Sequence, residues 1–352
     1  MASSNTEDGS KAANEQLGSM SLGVSAENKD NETERKAENG TPTKLLCSAC
    51  EKKSNTLKKC NGCKCVWYCD KKCQNKHRKE HKKVCRRILK ELDKQGGKLD
   101  LGTELDVGPL GKLPPREECP ICMQVLPIHD SLHAYFACCG KSICGGCSHQ
   151  HLMKNGGRAT CAFCRTALPE TDAEILARVD KRVERKDALG LCMMGMHHGL
   201  GQLGLPVDQA KCIDLLSQSA ALGCPLANYH LGTSYKIGRM GLQQDHVKAQ
   251  MHWEKAAEGG DLRSLHNLGS TEWENGDEIA AMSHYRLSAS GGSKKSIDCL
   301  IDYFEKGSLR HGDLAETLQA MYCATAEMKS KERDQCIEHL KKTGKYKAEY
   351  EG

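Results

Sequence analysis

Sixteen of the chain's 22 cysteines fall in two short blocks, eight within residues 47–85 and eight within 119–164. The other six are scattered from Cys192 to Cys336. Both blocks are built on Cys-x-x-Cys pairs: Cys47/Cys50 and Cys60/Cys63 in the first, Cys119/Cys122, Cys144/Cys147 and Cys161/Cys164 in the second. A two-residue gap lets one tight turn aim both sulfurs at a single ion about 2.3 Å away. Disulfide frameworks belong to oxidising compartments. The N-terminal stretch MASSNTEDGSKAANEQLGSM lacks the basic-then-apolar layout of a secretory signal, and no run of roughly 18 apolar residues offers a membrane span. The expectation is a soluble chain of the cytoplasm and/or nucleus with no membrane partner, whose cysteines hold metal rather than one another.

In the first block, Cys69 and Cys73 stand four apart, as do His81 and Cys85. That spacing puts both members on one helix face. With the two knuckles this makes eight ligands, enough for two tetrahedral zinc sites. The run Tyr68-Cys69, Cys73-Gln74, His81-Lys82-Lys83-Val84-Cys85 closely resembles a MYND zinc finger over the whole block. The resemblance implies interleaved sites. Cys47, Cys50, Cys69 and Cys73 would hold one zinc, and Cys60, Cys63, His81 and Cys85 the other. It also implies a groove for a peptide ligand, although Arg78 stands where the family commonly has Trp. Cys65 is surplus and reads as a spare thiol. A domain of about 40 residues is near the lower size limit for folding without such staples.

The second block adds Cys138-Cys139 to its three knuckles, giving two more zinc sites and four ions in all. It resembles a RING domain. By that resemblance Cys119, Cys122, Cys144 and Cys147 share one ion, and the second and fourth pairs share the other. In the second pair the family's usual histidine is replaced by Lys141, a protonated amine and not a usual zinc ligand. Cys138 is the nearest soft replacement, so Cys138, Cys139, Cys161 and Cys164 form the expected set. His133, His149 and His151 are the alternatives. Gly140 supplies the freedom that adjacent ligands need. RING domains hold a charged ubiquitin-conjugating enzyme and work by positioning its thioester rather than by a nucleophile of their own. Ile121 matches the family's apolar contact with that enzyme and Arg165 its cationic contact. Ala162 replaces the usual Pro, and no Trp lies between Cys147 and Cys161.

Residues 1–44 are polar and poor in aromatic residues and read as a disordered tail. The first finger is assigned to 45–86, a helix extension and Gly/Pro linker to 87–117, and the second finger to 118–166. From 171 to 345 the pattern is helical, with Thr171 as N-cap and Glu174 three residues on. DQAKCIDLLSQSAALGCPLANYHLG (208–232) aligns with DHVKAQMHWEKAAEGGDLRSLHNLG (245–269) at an offset of 37, placing Leu216 on Trp253 and Gly232 on Gly269. A third copy follows at an offset of 32, with Tyr285 in the Trp253 place, and a less regular one begins near Asp313. Such a period means a helical-hairpin solenoid. The pattern resembles Sel-one-like repeats, relatives of the tetratricopeptide repeat and protein-docking scaffolds. The combination of finger and repeats also resembles a large family of diatom proteins.

The fold class expected is α+β small zinc-stapled fingers, MYND and RING-like, followed by an all-α helical-repeat solenoid. GLGQLG (199–204) fits a dinucleotide fingerprint but joins two helices instead of following a strand, so it reads as a loop. His197 and His198, which align with Tyr235 and Lys236 of the sister copy, read as packing or surface residues. The formal charge of +5 counts neutral thiols. Fifteen thiolates around four dications would bring the chain to about −2. The eleven Lys/Arg between Asp70 and Lys94 read as a solvated helix face that also offsets the zinc–thiolate charge. Nucleic acid is not an expected partner. The leading functional expectation is a RING-type ubiquitin ligase with no covalent catalytic residue, its MYND finger and repeats recruiting substrate. The alternative is a non-enzymatic adaptor joining proteins through the fingers and repeats.

Overall fold

The computed structural model describes residues 46–52, 54, 56–94, 113–114, 116–128, 132–156 and 160–344. The tail expected at 1–44, most of the linker and the last residues lie outside this range. The first block forms β1 (Lys58–Lys59) and β2 (Trp67–Tyr68), antiparallel with Lys58 opposite Tyr68, then α1 (Lys71–Lys94). The second forms β3 (His133–Phe136) and β4 (Lys141–Cys144), antiparallel with Phe136 opposite Lys141, then α2 (Gly145–Lys154). The helices that follow are α3 (Asp172–Glu184), α4 (Ala188–Leu200), α5 (Gln209–Ala221), α6 (Pro225–Ile237), α7 (His246–Glu258), α8 (Leu262–Glu274), α9 (Glu278–Ser290), α10 (Lys294–Glu305), α11 (His311–Glu327) and α12 (Lys331–Lys342). Among the described residues no helix is long and apolar enough to cross a membrane.

Short polar residues set where the helices begin. Asp187, Asp208, Asp245, Asp261 and Asp277 each accept the backbone N–H three residues on, and Ser293 does the same for α10. Each such cap is worth about 1 kcal/mol. Thr171 caps α3 as its sequence predicts, accepting from Glu174 N at 3.2 Å. The Glu174 carboxylate reaches back one residue further than a capping box, to the N–H of Glu170.

The helix pairs α4/α5, α6/α7 and α8/α9 are each closed by one recurring contact. A Cβ on Gly232 would stand 2.6 Å from the Trp253 ring, and one on Gly269 would stand 2.9 Å from the Tyr285 ring. Gly195 faces Leu216 in the same way. The register read from sequence, Leu216 on Trp253 on Tyr285, is therefore the register of inter-helix packing. The shift from 37 to 32 lies in a loop: 238–245 joins α6 to α7, whereas only 275–277 joins α8 to α9. The same packing corrects one alignment. Gly195 corresponds to Gly232, and the left-handed caps Gly201 and Gly238 also correspond. His198 therefore falls on Tyr235 and His197 on Ser234, one residue from the sequence alignment. GLGQLG spans the end of α4 and the loop to α5, as expected.

The fingers are not pendant. One core joins Leu57, Val66, Tyr68, Ile88 and Leu92 of the first finger to Tyr285, Ile297, Leu300, Ile301, Phe304 and Leu314 of α9–α11. Arg87 ties α1 to α10 through Glu305 at 2.6 Å and Asp302 at 2.5 Å. The second finger is held to the helices at several places, with Ile128 packed against the Leu262 and Leu287 core. Arg182 of α3 donates to Ala137 O at 2.7 Å, and α12 packs against α2.

Candidate metal centres and docking surfaces

Four Cys-x-x-Cys turns share one backbone design. Cys47, Cys60, Cys119 and Cys161 each accept at the carbonyl from the residue four positions on, namely Glu51, Lys64, Met123 and Arg165. Those four residues all have positive φ, between 55° and 62°, although none is glycine. Cys47, Cys60, Cys119 and Cys161 also donate their own N–H onward, to the carbonyls of Lys52, Val66, Gln124 and Thr166. Holding a β-carbon-bearing residue in the left-handed region costs energy. It recurs here because it points both sulfurs of the turn to the same place.

The sulfurs converge in four tetrads: Cys47, Cys50, Cys69 and Cys73; Cys60, Cys63, His81 and Cys85; Cys119, Cys122, Cys144 and Cys147; and Cys138, Cys139, Cys161 and Cys164. Donor atoms lie within 4.8 Å of one another in each. A tetrahedral ion with bonds of about 2.3 Å sets its sulfurs about 3.8 Å apart. Cys60–Cys85 and Cys122–Cys144 are 3.8 Å apart, Cys139–Cys161 3.6 Å, Cys50–Cys69 3.5 Å and Cys138–Cys164 3.3 Å. His81 Nε2 is 3.2 Å from Cys63 Sγ. Backbone N–H groups already point at these sulfurs: Cys69 N at Cys47, Cys144 N at Cys119, Cys147 N at Cys144 and Phe163 N at Cys161, each at 3.4 Å. Burial pushes the thiols of Cys138, Cys139, Cys144 and Cys147 up. Four crowded acids release their protons together only to a cation of matching charge. Soft thiolates, one imidazole and four-fold geometry are the donor set of zinc. When bound, zinc supplies structural cross-linking at these closed sites.

The Lys141 irregularity of the second finger resolves in its β-turn. Phe136 O accepts from Cys139 N at 3.1 Å and Gly140 N at 2.8 Å, and Gly140 has φ 69°. This turn carries Cys138 and Cys139 to Cys161 and Cys164, while Lys141 is exposed. The three alternative histidines are engaged elsewhere. His133 Nε2 meets Pro127 O, His149 packs on the His339 ring at 4.9 Å, and His151 Nε2 lies 3.0 Å from Thr160 Oγ1.

Cys65 stands outside the tetrads. Its sulfur is fully buried, 3.1 Å from His311 Nε2, which is in turn 2.7 Å from Cys63 O. Burial would lower the His311 imidazole, but the Cys65 sulfur and the Cys63 carbonyl outweigh it and raise it. In the same finger, burial pulls His77 down to about 4. A neutral His77 Nδ1 accepts from the Tyr68 hydroxyl at 2.9 Å. Sequence spacing gave no sign of His311, of Tyr322 edge-on to His77 at 5.1 Å, or of Arg333, whose guanidinium lies 3.6 Å from Cys122 Sγ.

The expected docking residues are placed as follows. Ile121 is 45% exposed inside the 119–122 turn, and Arg165 is exposed at the left-handed position of the 161–164 turn. Met123 and Phe163 are exposed on the same two turns. Along α1, Lys72, Lys76, Lys79, Lys83, Arg86 and Lys90 recur every three or four residues and are all exposed. His81 and Cys85 occupy the other side of that helix, and Cys73 lies on its flank. At 100° per residue the cations point away from the metal centres, so they form a solvated face more than a counter-charge. His197 and His198 join no tetrad among the described residues.

Comparison with known proteins follows the same division. Residues 47–85 match the MYND finger family, and residues 188–224 and 225–261 each match the Sel1 repeat. No RING family match accompanies the second pair of tetrads. No curated protein matches the chain. Among solved structures, a Sel1 repeat protein from Oxalobacter formigenes is 25% identical, with a TM-score of 0.34, over 37% of this chain and 98% of that one. The protective antigen c5321 of uropathogenic Escherichia coli, which displays an SLR fold, is 20% identical, with a TM-score of 0.38, over 57% of this chain and 41% of its own. The chain thus carries a MYND finger and Sel1 repeats, with a second cysteine-rich finger fastened to the same helical array.

Proposed function

We propose that this protein is a zinc-stapled scaffold that joins protein partners, with four zinc ions held by the sixteen tetrad residues. The domains on this reading are 45–86, 118–166 and 171–345, after a tail at 1–44 and a linking segment at 87–117. The observation that carries it is where apolar surface remains once the fingers have docked. Val247 of α7 is 79% exposed, and Met251 of the same helix, Trp273 of α8 and Ile279 of α9 are exposed as well. A protein gains nothing in stability from such side chains, and aromatic and Met residues are enriched at protein interfaces. The array would take one partner and the MYND finger a peptide from another. Cytoplasm or nucleus suits its reduced thiols.

A second reading, a RING-type ligase, draws on the second finger. Its exposed Ile121 and Arg165 would meet a ubiquitin-conjugating enzyme, with the repeats holding substrate. One experiment separates the two. Proximity labelling in cells compares wild type, Val247→Asp/Trp273→Ala and Ile121→Ala/Arg165→Ala, beside an in vitro ubiquitination assay with zinc-loaded protein and a panel of conjugating enzymes. The scaffold reading expects partners lost from the array variant, kept by the finger variant, and a blank assay. Ubiquitin transfer that disappears with Ile121→Ala would replace the scaffold with the ligase.

A further inference from the structure

Arg333, in the first turn of α12, is only 5% exposed. Its guanidinium donates to Met328 O at 2.6 Å, Val125 O at 2.7 Å, Gln124 O at 3.3 Å and Cys122 Sγ at 3.6 Å. The ion pairs of the described residues give it no carboxylate. Arg182, at the other tetrad of this finger, differs in this respect: Asp187 lies 3.9 Å away. Burying an unpaired cation costs several kcal/mol. Carbonyl dipoles offset part of that cost, but they leave the charge itself unanswered.

The answer lies in the adjacent tetrad. Four thiolates around one zinc ion leave two net negative charges. One of those sulfurs, Cys122 Sγ, lies 3.6 Å from the Arg333 guanidinium. The local backbone is shaped for this approach. A Cβ on Gly146 would stand 2.7 Å from Arg333 N and 2.9 Å from its Cα, so the first turn of α2 is open only because that residue is glycine. Cys336 packs near Gly145, and His339 meets His149 one and two turns further on.

We infer that Arg333 is the outer partner of the zinc held by Cys119, Cys122, Cys144 and Cys147, and that it latches α12 onto the second finger while the metal is bound. The inference rests on the zinc reading of that tetrad. With metal present, the guanidinium cancels one of the cluster's two negative charges in a buried place. With metal gone, the four sulfurs are no longer held as one charged cluster beside Arg333, and α12 loses that partner. The zinc state of the finger is thereby written into the exposure of the chain's last described helix.

The test uses the full-length zinc-loaded protein. Release of zinc to a chromogenic chelator is followed in wild type, Arg333→Met and Arg333→Lys, and amide exchange of α12 is read by mass spectrometry. Loss of an outer-shell partner weakens metal binding about 10–100-fold. In Arg333→Met one of the four ions should therefore leave about 10–100 times faster while three keep their rates, and Arg333→Lys should fall between. In otherwise wild-type protein, Cys119→Ser should speed exchange along α12, whereas Cys161→Ser, which empties the neighbouring site, should not. Unchanged release of all four ions would mean that Arg333 only caps carbonyls. Equal acceleration of all four would mean general loosening. Either overturns the latch. Wild-type protein carrying fewer than four zinc ions, with this tetrad empty, would remove the zinc reading itself and the latch with it.

Discussion

The sulfur of Cys65 lies 3.1 Å from Nε2 of His311, a buried contact between residues 246 positions apart. It fastens the MYND finger to the N-terminal turn of α11. The thiol that the ligand spacing leaves over is thus spent on an interface between domains.

His311→Ala takes the imidazole away from the buried Cys65 sulfur and Cys63 carbonyl, which keep only their mutual 3.1 Å contact. The expected loss is about 1–3 kcal/mol. Because neither Cys65 nor His311 belongs to a tetrad, native mass spectrometry should still count four zinc ions. Urea unfolding supplies the stability change. Loss of a zinc ion with this variant would place Cys65 or His311 among the ligands.

Cys138→Ser should carry three zinc ions where wild type carries four, and Lys141→Ala should keep all four. The four donors of that site include Cys138, whereas Lys141 is exposed. The same measurement on His151→Ala, His149→Ala and His133→Ala should show no loss. A zinc ion lost from one of these histidine variants and retained in Cys138→Ser would reassign the ligand.

In an exposed helix, replacing Gly by Ala gains about 1 kcal/mol. Gly232→Ala and Gly269→Ala should do the reverse, each costing about 1–3 kcal/mol by forcing Trp253 or Tyr285 outward. Thermal unfolding reads the sign directly. A stabilised Gly232→Ala would show that the repeats pack less closely than the ring contacts require.

Burial holds the imidazoles of His252, His266 and His284 below the usual range. Unfolded, they titrate near about 6.5. The unfolded chain therefore binds more protons below that pH, and the contribution of these groups, complete above about 6.5, is lost as the pH falls. The melting temperature should drop by a few degrees more between pH 7.5 and 5.5 in wild type than in a triple His→Asn variant. Acid release of zinc affects both proteins alike, so the difference reports the histidines. Equal drops would show that they stay neutral in neither state or in both.

Much of this protein was readable because its signals are local. A Cys-x-x-Cys turn needs only a few residues to aim two sulfurs, and His81 and Cys85 share a face through helix geometry alone. Asp208 and Asp245 cap their helices by bonding a neighbour three positions on. Gly232 and Trp253 kept their register because each helix of a pair packs on the helix that follows it in sequence. Where two local solutions competed, as with Cys138 against His133, His149 and His151, sequence spacing narrowed the choice, and the turn at Phe136–Gly140 separates them in space.

What sequence spacing could not contain is everything that depends on two distant segments meeting. Cys65 with His311, His77 with Tyr322, and Arg333 with Cys122 have no periodicity between them, and each partner alone looks ordinary. By itself the sequence determined the ligand pairs, the helix ends and the repeat. Only the tertiary structure decided that the fingers close onto the array. Burying Ile88, Phe304 and Leu314 in one core is favoured by the water it removes, and that drive has no direction along the chain.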